Sequence, residues 1–551
     1  MNALRLTTFL RFAIASATTI GALVATSPPG AAAPPAAAAL VAPSPGTLFI
    51  CGGGALPDRV VDEFVKAAGG EKARIVVVPT ASESADAVAA DAARTETLLK
   101  PWRDRKPAEV VLFHARTAAE ADDVERLRSL REATGVWFGG GSQRRLAEAY
   151  VGTRFLREVQ GVLARGGAVG GTSAGAAVMT DPMIAGDPIA GVPQRAKGFG
   201  LLPGSVVDQH FTARQREPRL AAAVALDPRL VGFGVDEGTA LVARGRELSV
   251  VGAAQVHVFV DPAGRDPLAL RLKEGDRDDL VALSRAARDR PAAAATPPSA
   301  TSPAVPHGTL VIVGGGGMPR EALDRFIAAA GGKDAKIVVV PTVADPKTFA
   351  GEMRLFTKAG CTNVVVVAAR TPAEADAAEN LSHLAEARGV WFGGGRQWRF
   401  VDAFEGTKCL AAFHDVLRRG GVIGGSSAGA TIQGEYLCRG SPVVNTIMSA
   451  HGYERGFAFL PGSAVDQHFT QRKRGPDLEA LVRRRPDLLG IGIDESTALV
   501  VNGARAEVVG AHTVSFYPPG KDRDAAAAEP PPPIVLRAGE SYDLRSSSVG
   551  R

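Results

Sequence analysis

The chain is short of cysteine, of metal-binding spacings and of long apolar runs, and each shortage excludes something. Four cysteines (Cys51, Cys361, Cys409 and Cys438) in 551 residues do not make a disulfide framework. Cys409 and Cys438 form the one pair an oxidising compartment would favour, but buried apolar packing is the expected role of each cysteine. No Cys-x-x-Cys or His-Glu-x-x-His spacing occurs, so neither a metal site nor a cofactor is expected. Basic runs interleaved with aromatics are missing too. The net charge of +5 and the pI near 9.1 come from scattered arginines, which argues against a nucleic-acid partner. Beyond the N-terminus no stretch is apolar and long enough to span a membrane.

What is present describes a soluble globular protein, with 46% hydrophobic and 22% charged residues. The length suggests two to four domains. Residues 1–33 read as a signal peptide: Arg5 and Arg11 are basic, Phe12 to Ala25 is apolar, and Ala31-Ala32-Ala33 offers a small-residue cleavage site. A secreted or periplasmic protein is therefore expected, with an uncleaved anchor as the competing reading. Residues 34–45 form an Ala/Pro-rich tether.

The rest is a duplication. Thr47-Leu48-Phe49-Ile50 runs into Cys51-Gly52-Gly53-Gly54, and Thr309-Leu310-Val311-Ile312 runs into Val313-Gly314-Gly315-Gly316. Further along, Gly135-Val136-Trp137-Phe138-Gly139-Gly140-Gly141 is matched by Gly389-Val390-Trp391-Phe392-Gly393-Gly394-Gly395. The offset between copies drifts, which places length changes in the segments between strands. One domain over 46–285, a Pro/Ala-rich linker over 286–306 and a second domain over 307–551 follow. Such a duplication suits a pseudo-dimer of the two halves.

Within each half the apolar runs are short, β-branched and not alternating, as in Ile75–Val78 and Val338–Val340, which suits parallel strands buried on both faces. Helix-like segments rich in Ala, Glu, Arg and Leu separate them. The expected fold is α/β: two tandem open sheets of flavodoxin or Rossmann type, mostly parallel, with ligands at the carboxyl ends of the strands.

At those ends lies the chemistry. Gly171-Thr172-Ser173-Ala174-Gly175 and Gly425-Ser426-Ser427-Ala428-Gly429 each follow a β-type run and fit the Gly-x-Ser-x-Gly nucleophile elbow. A serine hydroxyl needs a base, usually a histidine held by a carboxylate. Of nine histidines only His210 and His468 sit at equivalent places, each in an Asp-Gln-His-Phe-Thr string. The carboxylate falls in Asp236-Glu237 and in Asp494-Glu495. The sequence does not choose between neighbours that face opposite ways along an extended chain. The order Ser, His, acid differs from the Ser, acid, His of α/β-hydrolases.

Taken together, these motifs resemble the cyanophycinase and peptidase E family of serine peptidases, over nearly all of both halves. The resemblance implies Ser173, His210 and Glu237 as one triad and Ser427, His468 and Glu495 as the other. It implies an oxyanion hole from the amides of Ala174 with Gly140 or Gly141, and of Ala428 with Gly394 or Gly395. It implies substrate binding by Gln143, Asp208, Gln209, Arg214, Arg216 and Arg219, and by Gln397, Asp466, Gln467, Arg472 and Arg474. The implied reaction is cleavage of cyanophycin-like poly-aspartyl-arginine to β-Asp-Arg dipeptides. Two departures bear on specificity: Ser142 and Arg396 stand where the family pattern has an acid, and Asp477 replaces a third arginine. The alternatives are an α-aspartyl or isoaspartyl dipeptidase of the peptidase E type, and a non-catalytic binding role for one half.

Overall fold

A computed structural model describes residues 44–189, 192–261, 268–295, 303–341, 346–520 and 532–550. The expected signal peptide and nearly all of the tether lie outside the described residues. In the first half an eight-stranded sheet runs in the order Arg277–Asp279, Glu247–Gly252, Thr239–Arg244, Thr47–Cys51, Ala168–Thr172, Gly135–Phe138, Arg74–Val78, Glu109–Leu112. The five strands from Thr47–Cys51 to Glu109–Leu112 are mutually parallel. The valine-rich run Ile75–Val78 is at most 2% exposed, as burial on both faces requires.

Helices cover these strands by ordinary amphipathic logic. Arg154–Ala164 buries Phe155, Leu156, Val159, Val162 and Leu163, a helical spacing, and begins where the Thr153 hydroxyl accepts the Leu156 N–H at 3.3 Å.

The single open sheet expected for each half needs correction, because each half carries a large and a small sheet, and the first adds a two-stranded one of Met183–Ile189 with Val192–Ala196. In the first, Ser205–Gln209, Val231–Val235, Val256–Val260 and Leu268–Leu272 form a separate four-stranded sheet in which only the first pair is parallel. The second half repeats the plan with nine-stranded and five-stranded sheets. The antiparallel additions follow from chain length. The strand Thr239–Arg244 turns into Glu247–Gly252 through Gly245-Arg246, and so short a link cannot make the long crossover that parallel neighbours need.

The linker boundary also moves. A helix over Leu280–Ala295 runs through the start of the expected linker, since its Ala/Arg-rich sequence propagates a helix already begun. It carries Arg285, 1% exposed, into the second half. There Arg285 donates from Nε to the Gly452 carbonyl at 2.8 Å, pairs with Glu405 and lies over the Tyr453 ring. Beside it, Arg246 pairs with Asp279 of its own half and with Asp402 of the other at 2.7 Å, and stacks on Trp398. These guanidiniums suit a buried junction, being planar, always charged and matched to carboxylates and aromatic faces. Ala504 stands opposite Arg246 in the repeat and Val151 opposite Glu405, so this contact joins unlike surfaces of two like halves.

All four cysteines are buried free thiols. Among the described residues no helix is long and apolar enough to cross a membrane, and no group of His, Cys, Asp or Glu is placed to hold a metal ion.

Candidate active site

Each site draws on strand ends of the large sheet and of the four- or five-stranded sheet of its half. Ser173 follows the strand Ala168–Thr172 of the large sheet, with φ 54° and ψ −111°, and opens a four-residue helix over Ala174–Ala177. Ser427 repeats this at φ 55° and ψ −110°. A non-glycine residue in such a conformation is strained, and the surrounding bonds hold it there. His210 leaves the end of Ser205–Gln209, and Glu237 the end of Val231–Val235, both in the small sheet.

The glycine turn after the first strand gathers all three loops. The Ser173 N–H donates to the Cys51 carbonyl at 3.0 Å, the His210 N–H to Gly52 at 2.6 Å and the Gly238 N–H to Gly53 at 3.0 Å. A Cβ at Gly53 would fall 2.2 Å from Cε1 of His210, and one at Gly315 2.3 Å from Cε1 of His468. These positions must be glycine because the imidazole occupies the space. The string was visible in the sequence; its service to the histidine was not.

The result is a hydrogen-bonded chain. His210 Nε2 lies 2.8 Å from Ser173 Oγ, and its Nδ1 lies 2.5 Å from Glu237 Oε1. In the second half the distances are 2.9 Å from Ser427 to His468 and 2.6 Å from His468 to Glu495. Burial lowers the pKa of His468, opposed by Glu495 and reinforced by the nearby Arg472.

The adjacent aspartates do different work. Asp236 accepts the Thr212 N–H at 2.9 Å and the Gln255 N–H at 3.3 Å, and Asp494 accepts the N–H groups of Thr470 and Thr513. They tie down the loop just after the histidine, while the glutamates reach the imidazole. Of the paired glycines, Gly140 lies beside Ser173: a Cβ there would be 3.4 Å from the serine Cβ. Gly141 faces the Ala81 carbonyl instead. In the second half, Gly394 is the glycine against Ser427.

The residues expected to bind substrate fall into two groups. Asp208, 1% exposed, is paired with Arg219 and Arg216, and Arg216 also reaches the Gln209 carbonyl at 2.6 Å. Burial pushes the Asp208 carboxyl upward, and the two arginines oppose it. Asp466 is likewise buried, with Arg474 at 2.8 Å and Arg439 at 3.1 Å. Gln143 donates to the Ile184 carbonyl, and Gln397 to those of Cys438 and Arg439. Gln209 and Gln467 are buried as well. These side chains brace the loops around the site. Arg214 and Arg472, one turn beyond each histidine, are exposed.

Arg439 has no arginine opposite it in the first half and was not singled out in the sequence. It pairs with Asp477 at 2.8 Å as well as with Asp466. Asp477 standing where Arg219 stands was its only signal.

Comparison with known proteins agrees with this repetition. The model of peptidase family S51 matches residues 48–251 and again 310–509. A cyanophycinase of Synechococcus elongatus is 35% identical over 211 residues, covering 37% of this chain and 63% of that protein. One of Geminocystis herdmanii is 30% identical over 242 residues, covering 40% of this chain and 87% of that one. The crystal structure of a peptidase from an acI-B1 Actinobacterium aligns at 25% identity over 43% of this chain and 97% of its own, with a TM-score of 0.35. The chain thus spans under two thirds of the S. elongatus relative, and with both halves matched it belongs to peptidase family S51, a family of serine-type peptidases, in two tandem copies.

Proposed function

We propose that this chain is an exported serine hydrolase with two active sites, cleaving cyanophycin-like poly-aspartyl-arginine to β-Asp-Arg dipeptides. One observation carries the reading: a Ser–His–Glu chain at hydrogen-bonding distances, formed in both halves by equivalent residues. The serine Oγ attacks the scissile carbonyl as histidine Nε2 takes its proton. The glutamate holds Nδ1–H and stabilises the imidazolium, which then protonates the leaving amine. Water repeats the sequence to release the acyl group and restore the serine. The amides of Ala174 and Gly140, and of Ala428 and Gly394, receive the oxyanion.

The aspartyl-arginine substrate comes from the cyanophycinase relatives. It also suits the exposed Arg214 and Arg472, each beside its histidine, where a guanidinium can hold a substrate carboxylate. Export rests on the basic and apolar pattern of residues 1–33.

The test is dipeptide release from cyanophycin by the mature protein, by Ser173→Ala, by Ser427→Ala and by the double variant. Release by both single variants and none by the double variant is expected. Intact folding with no release by the wild type would discard the substrate.

A further inference from the structure

Among the described residues, the second site contains a carboxylate that the first does not. Glu352, on the helix Pro346–Lys358, accepts the Gly394 N–H through Oε1 at 3.0 Å. Its carboxylate lies over the Gly393-Gly394 peptide, so closely that a Cβ at Gly393 would fall 2.1 Å from both oxygens. Gly394 in turn lies against Ser427, a Cβ there being 3.8 Å from that of the serine. The other oxygen, Oε2, is buried and has no hydrogen-bond partner. Among the described residues no ion pair is recorded for Glu352. With only the Gly394 amide to oppose it, burial pushes the carboxyl up to about 7. In the first half the space over Gly139 is bounded by the Val78 carbonyl and Pro79, and that over Gly140 by Thr172 and Ser173.

An amide already bonded to a carboxylate cannot also receive the negative charge that develops on a substrate oxygen. A buried carboxylate without a cation is costly and is relieved by acquiring one. We propose that Glu352 is a specificity-determining gate of the second site: it holds the Gly394 amide until a cationic group of the substrate, guanidinium or ammonium, pairs with it and draws it away. The proposal rests on the reading above that Gly394 contributes to the oxyanion hole. It makes the second site selective for cationic substrates and leaves the first site without this requirement.

The test uses the full-length mature protein carrying Ser173→Ala, so that Ser427 is the remaining nucleophile. A fluorophosphonate, whose adduct places an oxygen in the oxyanion hole, is added and labelling of Ser427 is followed by mass spectrometry. Glu352→Ala should speed labelling by at least about tenfold, and Glu352→Gln by less, because its amide oxygen still accepts the Gly394 N–H. L-Argininamide should speed labelling of the Glu352 protein severalfold and of neither variant, while uncharged acetamide should do nothing. Equal rates with and without Glu352, or an argininamide effect that survives Glu352→Gln, would overturn the gate. The Ser427→Ala protein, labelled at Ser173, separates the two failures. Labelling of both serines with no dependence on residue 352 sinks the gate alone, whereas labelling of neither serine sinks the proposed function as well.

Discussion

The two halves bury the same aspartate and share one arginine partner for it, Arg216 in the first and Arg474 in the second, but take the other guanidinium from different places in the chain. In the first, Arg219 on the helix Glu217–Ala225 closes on Asp208. In the second, that helix position holds Asp477, and Arg439 comes from the loop before Leu460–Gln467 to meet both Asp466 and Asp477. A buried carboxylate fixes the need for guanidiniums without fixing where they come from. The hydrogen-bonded Ser–His–Glu chains, by contrast, agree closely in backbone angle and in distance, because the serine, histidine and glutamate loops hang on one glycine turn. Geometry is held where chemistry needs it, and charge compensation is free to move.

The largest expected effect tests the part that does not vary. Glu237→Gln with Ser427 replaced, and Glu495→Gln with Ser173 replaced, should each lower kcat on the order of 10⁴-fold by stabilising the wrong imidazole tautomer. Steady-state kinetics would show it, and a loss confined to one half would break the equivalence. Next, Arg439→Ala should destabilise the second half by about 1.5–3 kcal/mol, since the buried Asp466 loses one of its two guanidinium partners and keeps Arg474. Adding Asp477→Arg should recover part of that loss by restoring the first half's arrangement, as denaturant titration would report.

Smaller but sharper, Gly53→Ala and Gly315→Ala should each cost their own half at least about a hundredfold in kcat/KM, because the methyl displaces the imidazole. The mildest difference is in pH. Burial holds the His468 pKa below its ordinary value of 6.5, so its neutral, basic form persists to lower pH. The acid limb of the second site's kcat/KM profile, measured with Ser173→Ala, should therefore lie below pH 6.5 and fall as pH drops through the lowered pKa.

The serine and histidine were legible in the sequence because each sits in a string repeated in both halves. The parallel strands were legible from their unbroken β-branched runs. The choice of Glu237 over Asp236 came from the family resemblance alone, since it turns on which side of an extended chain faces the imidazole. The second sheet of each half was not legible: short antiparallel links leave no signature as clear as a crossover helix. Arg439 and Glu352 were hidden for a common reason. Each reaches its partner across a long stretch of chain, and neither has a counterpart in the other half against which repetition could reveal it.

The central claim is that one chain carries two working nucleophiles. The direct measurement is exhaustive fluorophosphonate labelling of the mature wild type, with the modified peptides located by mass spectrometry. Two adducts per chain, one on Ser173 and one on Ser427, are predicted. A single adduct at saturation, or labelling at any other serine, would contradict the account.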